Sequence, residues 1–197
     1  MKSKLISVIV VFLILAETLL VLLSWLLSAM MTSGVRSLLS SEGIRWFFGQ
    51  YTEMLQSPLL VCMLLLSLAG GALVRSGLLS RPVTYRQRLG LQLSLGLLVM
   101  FVSVVLLLTI VPHAILLSAT GTLFPSPFSR ALIPILAMGV LSISVTYGLA
   151  ARTFTNLDDI IQSVSWGVSK AAPLFLLYVL AIQFFESLCF VFSLNFS

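Results

Sequence analysis

The feature that most constrains this chain is a series of apolar runs, each long enough to cross a bilayer. They cover about residues 5–31, 58–74, 89–111, 128–150 and 171–192. A helical span of the hydrocarbon core needs about 20 mostly apolar residues. In lipid a lone segment satisfies its backbone only as a helix. Folded in water, 197 residues of which 59% are hydrophobic and 9% charged would expose far more apolar surface than a domain of this size can bury. The fold class is therefore an all-α integral membrane protein: a single membrane domain over residues 1–197, with about five transmembrane helices plus short amphipathic interfacial helices.

The first run is too long for a signal-peptide core and contains Glu17, so it reads as a retained span. Two segments read as interfacial helices. "GIRWFFGQYTEMLQ" (43–56) mixes Arg45, Gln50 and Glu53 with Trp46, Phe47, Phe48 and Tyr51, a headgroup-level composition. "LDDIIQSVSWGVSK" (157–170) sets Ile160, Ile161, Val164 and Val168 at helical spacing among Gln162, Ser163, Ser165 and Ser169. "PHAILLSATGTLFPSPFSR" (112–130) carries Pro112, Gly121, Pro125 and Pro127 and reads as a turn-rich loop.

The net charge of +5 comes from residues scattered between spans, without the basic face that a nucleic-acid partner needs. It fits topology instead. Lys2, Lys4, Arg75, Arg81, Arg86, Arg88, Arg152 and Lys170 fall on one side, and Arg36, Arg45 and Arg130 on the other. The positive-inside rule then places the N-terminus in the cytoplasm and, after five spans, the C-terminus outside.

Chemistry-bearing groups are few. Cys62 and Cys189 lie in apolar runs and read as packing thiols, while His113, beside Pro112, reads as an interfacial loop residue. No phosphate loop, metal-spaced Cys/His cluster or nucleophile elbow occurs, so no catalytic residue, cofactor or metal site is assigned and an enzyme is not expected. Glu17, Gln183 and Glu186 are the intramembrane polar candidates. An intramembrane carboxylate needs a named partner. For Glu17 and Glu186 the candidates are Thr18, Ser24, Gln183 and Ser187, or each other if one acid of the pair is protonated, and the roles open are helix glue or proton relay.

In "RTFTNLDDIIQSV" (152–164), Asp158 and Asp159 stand side by side. Thr155 precedes Asp158, and Asn156 precedes Asp159, by three residues, the spacing of an N-cap with an acid in the first turn. A cation would need further oxygen ligands that are not predictable nearby, so helix capping is expected rather than ion binding. Gly70 and Gly71 would let a neighbouring helix approach closely.

Three stretches resemble the AbgT family, bacterial transporters associated with p-aminobenzoyl-glutamate uptake and, in some members, antimetabolite export. They are "LLSSEGIRWFF" with the later "GGALVRSGLL", then "GTLFPSPFSRALIPIL", then "YGLAARTFTNLDDIIQSVSWGVSKAAPLFLLYVLAIQFF". They occur in the family's order. The resemblance implies location in the bacterial inner membrane, dimeric assembly, and cation coupling by sodium or protons. It also implies chains more than twice as long, with framework helices around two re-entrant hairpins that hold substrate. The sequence passes from Ser80 almost directly to a late span and carries neither hairpin motif, so no substrate or sodium site transfers to its residues. What matches are framework-like helices. The expectation is an AbgT-like transport protein for p-aminobenzoyl-glutamate or related small aromatic carboxylates, embedded in lipid and working as a homo-oligomer or with another membrane subunit. The alternative is a transport-incompetent scaffold or assembly protein derived from that framework.

Overall fold

The structure, a computed structural model, describes residues 2–30, 34–80, 84–110 and 127–193. His113, most of the proline-rich loop and the C-terminal residues 194–197 lie outside them. The described residues form six helices: α1 (Lys2–Ala29), α2 (Ser41–Leu55), α3 (Pro58–Ser76), α4 (Tyr85–Ile110), α5 (Pro127–Ala150) and α6 (Leu157–Val191), with no strand among them. Five of the six, all but α2, are long and apolar enough to cross a membrane. The 15 residues of α2 make a helix of about 22 Å, shorter than the roughly 30 Å hydrocarbon core.

One boundary differs from the sequence expectation. Residues 157–170 and 171–192 do not form two elements, because α6 runs unbroken from Leu157 to Val191 with Pro173 inside it. Proline costs α6 one backbone hydrogen bond. Breaking the helix there would strand several carbonyl and amide groups, at a higher price in an apolar solvent.

The chain divides into two units, Met1–Leu60 with Ala172–Ser197, and Val61–Ala171. In the first, Leu20, Leu38, Phe190 and Val191 form the buried cluster, with Val21, Val35, Trp46, Phe184 and Leu188 packed against it. Trp46 and Phe190 stack with ring centroids 4.4 Å apart. The loop before α2 is tied down at two points. The Arg36 amide donates to the Val191 carbonyl at 2.9 Å. The fully buried Ser24 hydroxyl donates to the Val21 carbonyl and accepts the Leu38 amide at 3.2 Å. Ser40 caps α2 by accepting the Gly43 amide at 3.1 Å. Gly43 has to be glycine, since a Cβ there would lie 2.5 Å from the Leu38 carbonyl oxygen.

In the second unit α4 packs on α5, where Gly139 leaves room for the Phe101 ring and Gly90 for Ala150 and Tyr147. The turn from α5 to α6 folds back on itself. The amides of Thr153 and Phe154 both donate to the Gly148 carbonyl, at 2.8 and 3.0 Å, and the Phe154 ring lies against Gly148. Arg152 supplies the left-handed residue this return requires, with φ of 56°.

The backbones of α3 and α6 approach each other closely. A Cβ on Gly71 would lie 2.5 Å from the Ser163 carbonyl oxygen and 2.7 Å from Gly167 Cα, while one on Gly167 would run into the Ser67 carbonyl oxygen. Gly70 has no such role, since nothing lies within 4 Å of a Cβ built there. Adjacent helical residues point about 100° apart, so only one of the glycine pair can face the neighbour.

Candidate functional site

Three polar constellations stand out against the apolar helices. The first surrounds Glu17, midway along α1. Its Oε1 accepts the Ser187 hydroxyl of α6 at 2.8 Å. Its Oε2 is buried without a hydrogen-bond partner, and Gln183, one turn before Ser187, faces the same carboxyl group. Val21, Leu38, Leu39, Ile44, Phe47 and Phe48 complete a cavity of about 230 Å³ around this group.

Of the candidate partners, then, Ser187 makes the bond. Thr18 turns back to the Ile14 carbonyl at 2.7 Å, and Ser24 serves the loop before α2. Glu186 is not the partner. It precedes Ser187 by one residue, so it points elsewhere and lines a separate cavity of about 380 Å³ with Arg36, Glu42, Trp46, Gln50, Cys189, Phe190 and Ser193. In that cavity Arg36 and Glu42 pair at 3.3 Å. Because Ser187 is buried, removing its hydroxyl leaves a second carboxylate oxygen unserved. Ser187→Ala is expected to destabilise the protein by about 1–2 kcal/mol and Thr18→Ala by far less. Thermal unfolding in detergent measures both. A Ser187→Ala/Glu17→Ala cycle without coupling energy would sink the assignment.

The second constellation is the start of α6. Asp159 Oδ2 accepts three bonds: the Thr155 amide and hydroxyl, each at 2.8 Å, and the Asn156 amide at 3.1 Å. Asn156 is thus the cap residue with Asp159 at the third helical position, and the capping bonds go to Asp159, not Asp158. A helix of 35 residues is about 52 Å long, so it extends well beyond a roughly 30 Å core, and the cost of burying two adjacent aspartates in hydrocarbon puts the excess at its first turn. The three donors, the Thr155 amide foremost, hold the Asp159 carboxyl below the usual carboxylate range.

A group whose pKa falls on folding adds stability above its unfolded pKa and loses it as pH drops through the folded value. Hydrogen-exchange protection of the Thr155 and Asn156 amides is therefore expected to persist at neutral pH and vanish in acid. Asp159→Ala should abolish it at neutral pH, while Asp158→Ala leaves it intact. Equal effects of the two would refute this capping scheme.

The third constellation is not among the sites expected from the sequence. The α3–α6 crossing brings Arg75 of α3 to α6, where its Nη1 donates to Gln162 Oε1 at 3.3 Å. The same guanidinium lies 6.0 Å from the centroid of the Trp166 ring, and the Lys170 ammonium lies 5.7 Å from it. The sequence signal was available: Ser67 and Gly71 are four apart on α3, as are Ser163 and Gly167 on α6. Two small-xxx-small faces of this kind favour each other.

Among the described residues no group of His, Cys, Asp and Glu could hold a metal ion. Cys62 and Cys189 are free thiols.

Long apolar helices, close small-residue contact and a few isolated polar groups between them define a polytopic α-helical membrane protein. Residues 78–192, more than half the chain, match the model of the AbgT transporter family, and the chain belongs to that family. No curated protein and no solved structure matches it.

Proposed function

We propose that this protein is a subunit of an AbgT-type transporter in the bacterial cytoplasmic membrane. It carries p-aminobenzoyl-glutamate or a related small aromatic carboxylate, coupled to sodium or protons, and works as a homodimer or with a second membrane subunit. The observation that carries this reading is the family match over residues 78–192, which takes in α4, α5 and α6. The distribution of lysine and arginine supports an N-terminus in the cytoplasm and a C-terminus outside. Within this reading Glu17, Gln183 and Ser187 act as a polar link between α1 and α6.

The test is transport by purified protein in liposomes under an imposed sodium or proton gradient. Gradient-dependent uptake of p-aminobenzoyl-glutamate above that of protein-free vesicles is the expected result. Absence of flux, together with stable co-purification of another membrane protein, would replace the transporter with a scaffold.

A further inference from the structure

We infer that the Arg75–Trp166–Lys170 cluster is a docking site for the headgroup of an anionic phospholipid. The cluster is made by tertiary packing. Gly71 and Gly167 let the backbones of α3 and α6 meet, and Arg75 lies one turn beyond Gly71. Trp166 adjoins Gly167, and Lys170 follows one turn later. Two cations from different helices thereby share one indole ring, at 6.0 and 5.7 Å.

Their charge is not neutralised within the protein. Among the described residues the single ion pair is Arg36–Glu42, so neither Arg75 nor Lys170 has a carboxylate within 4.0 Å. Asp159 and Arg75 line one small cavity, but Asp159 commits one carboxylate oxygen to the amides of Thr155 and Asn156. Both cationic residues are exposed. Two like charges held together repel, and an anion between them converts that repulsion into attraction.

The chemistry of the surroundings selects a lipid over a soluble anion. Trp166 is half-buried, as suits an indole at the headgroup level, with its N–H free to donate to a phosphate. On α3, Val74 is 53% exposed, and the open face of Gly70 lies one turn before it, offering an apolar track for an acyl chain beside the cations. Basic pockets between transmembrane helices on the cytoplasmic side favour anionic headgroups, each Lys or Arg contributing about a fivefold gain in affinity. The lysine and arginine distribution puts Arg75 and Lys170 on that side.

The experiment is native mass spectrometry of the full chain released from nanodiscs that hold equal amounts of phosphatidylglycerol and phosphatidylcholine. The wild-type chain should retain phosphatidylglycerol preferentially. Arg75→Gln and Lys170→Gln should each lower that preference about fivefold, and the double variant should lose it. The charge-retaining pair Arg75→Lys and Lys170→Arg, and Arg45→Gln in the first unit, should keep it, which separates lost charge from lost fold. Equal retention of both lipids by the wild type, or an unchanged preference in the double variant, overturns the site. Complete displacement by millimolar glycerol phosphate would also overturn it, assigning the cluster to soluble anions.

Discussion

Gly167→Ala is expected to destabilise the second unit by about 3 kcal/mol, the upper end for overpacking. A single methyl group has this effect because of what it meets. A Cβ at Gly167 runs into the Ser67 carbonyl oxygen and lies 2.7 Å from Gly71 Cα. Both are backbone, so no side chain can rotate away, and α3 and α6 must separate over the whole contact. In lipid, helix association relies on such close packing, because apolar side chains gain little by leaving an apolar solvent. The internal comparison is Gly70→Ala, whose new methyl group meets nothing within 4 Å. It should be neutral or stabilising by about 0.5–1 kcal/mol through helix propensity. Unfolding of the two variants in detergent measures the contrast. Similar losses for both would refute the close crossing.

Phe154→Ala is expected to cost about 3–5 kcal/mol, the range for truncating a buried aromatic residue. Phe154 is 4% exposed, although it sits in the turn between α5 and α6. Its ring fills the space left by Gly148, and its amide donates to the Gly148 carbonyl at 3.0 Å. Removing the ring empties the packed side of the turn and loosens the entry to α6, where Asp159 receives the Thr155 and Asn156 amides. Leu157, three residues on and 77% exposed, provides the control. Leu157→Ala should change stability by no more than about 0.5 kcal/mol. Equal melting temperatures for Phe154→Ala and Leu157→Ala would sink the proposed role of the turn.

Some of this architecture is legible in one dimension. The five crossing helices follow from the apolar runs, because span length is set by bilayer thickness rather than by any partner. The start of α6 is legible because capping is local: Asn156 and Asp159 are three residues apart whatever the rest of the chain does. α2 is legible from its polar and aromatic composition, and it begins two residues before the expected Gly43 because Ser40 caps it.

Other features are not. In water an apolar stripe marks the face of a helix that is buried. In lipid both the packed and the lipid-facing sides are apolar, so the stripe disappears and facing residues cannot be picked from periodicity. That is why the apolar pattern of α3 does not separate Gly70 from Gly71, of which only Gly71 touches α6. For the same reason Thr18, Ser24, Gln183, Ser187 and Glu186 were all open as partners for Glu17, and Ser187 was chosen only when α1 and α6 packed. The continuity of α6 through Pro173 was also hidden, since proline signals a break more often than an uninterrupted helix.

The sequence by itself determined that this chain is an all-helical membrane protein with about five apolar segments long enough to cross a bilayer, and that its motifs are those of the AbgT family. These are properties of short stretches in contact with lipid and water. The tertiary structure alone decided which glycine faces a helix, which hydroxyl serves Glu17, and that Arg75 and Lys170 share Trp166. Each of those pairings depends on the rotation of one helix about its axis relative to another, and in lipid that rotation is set by the packing of small residues.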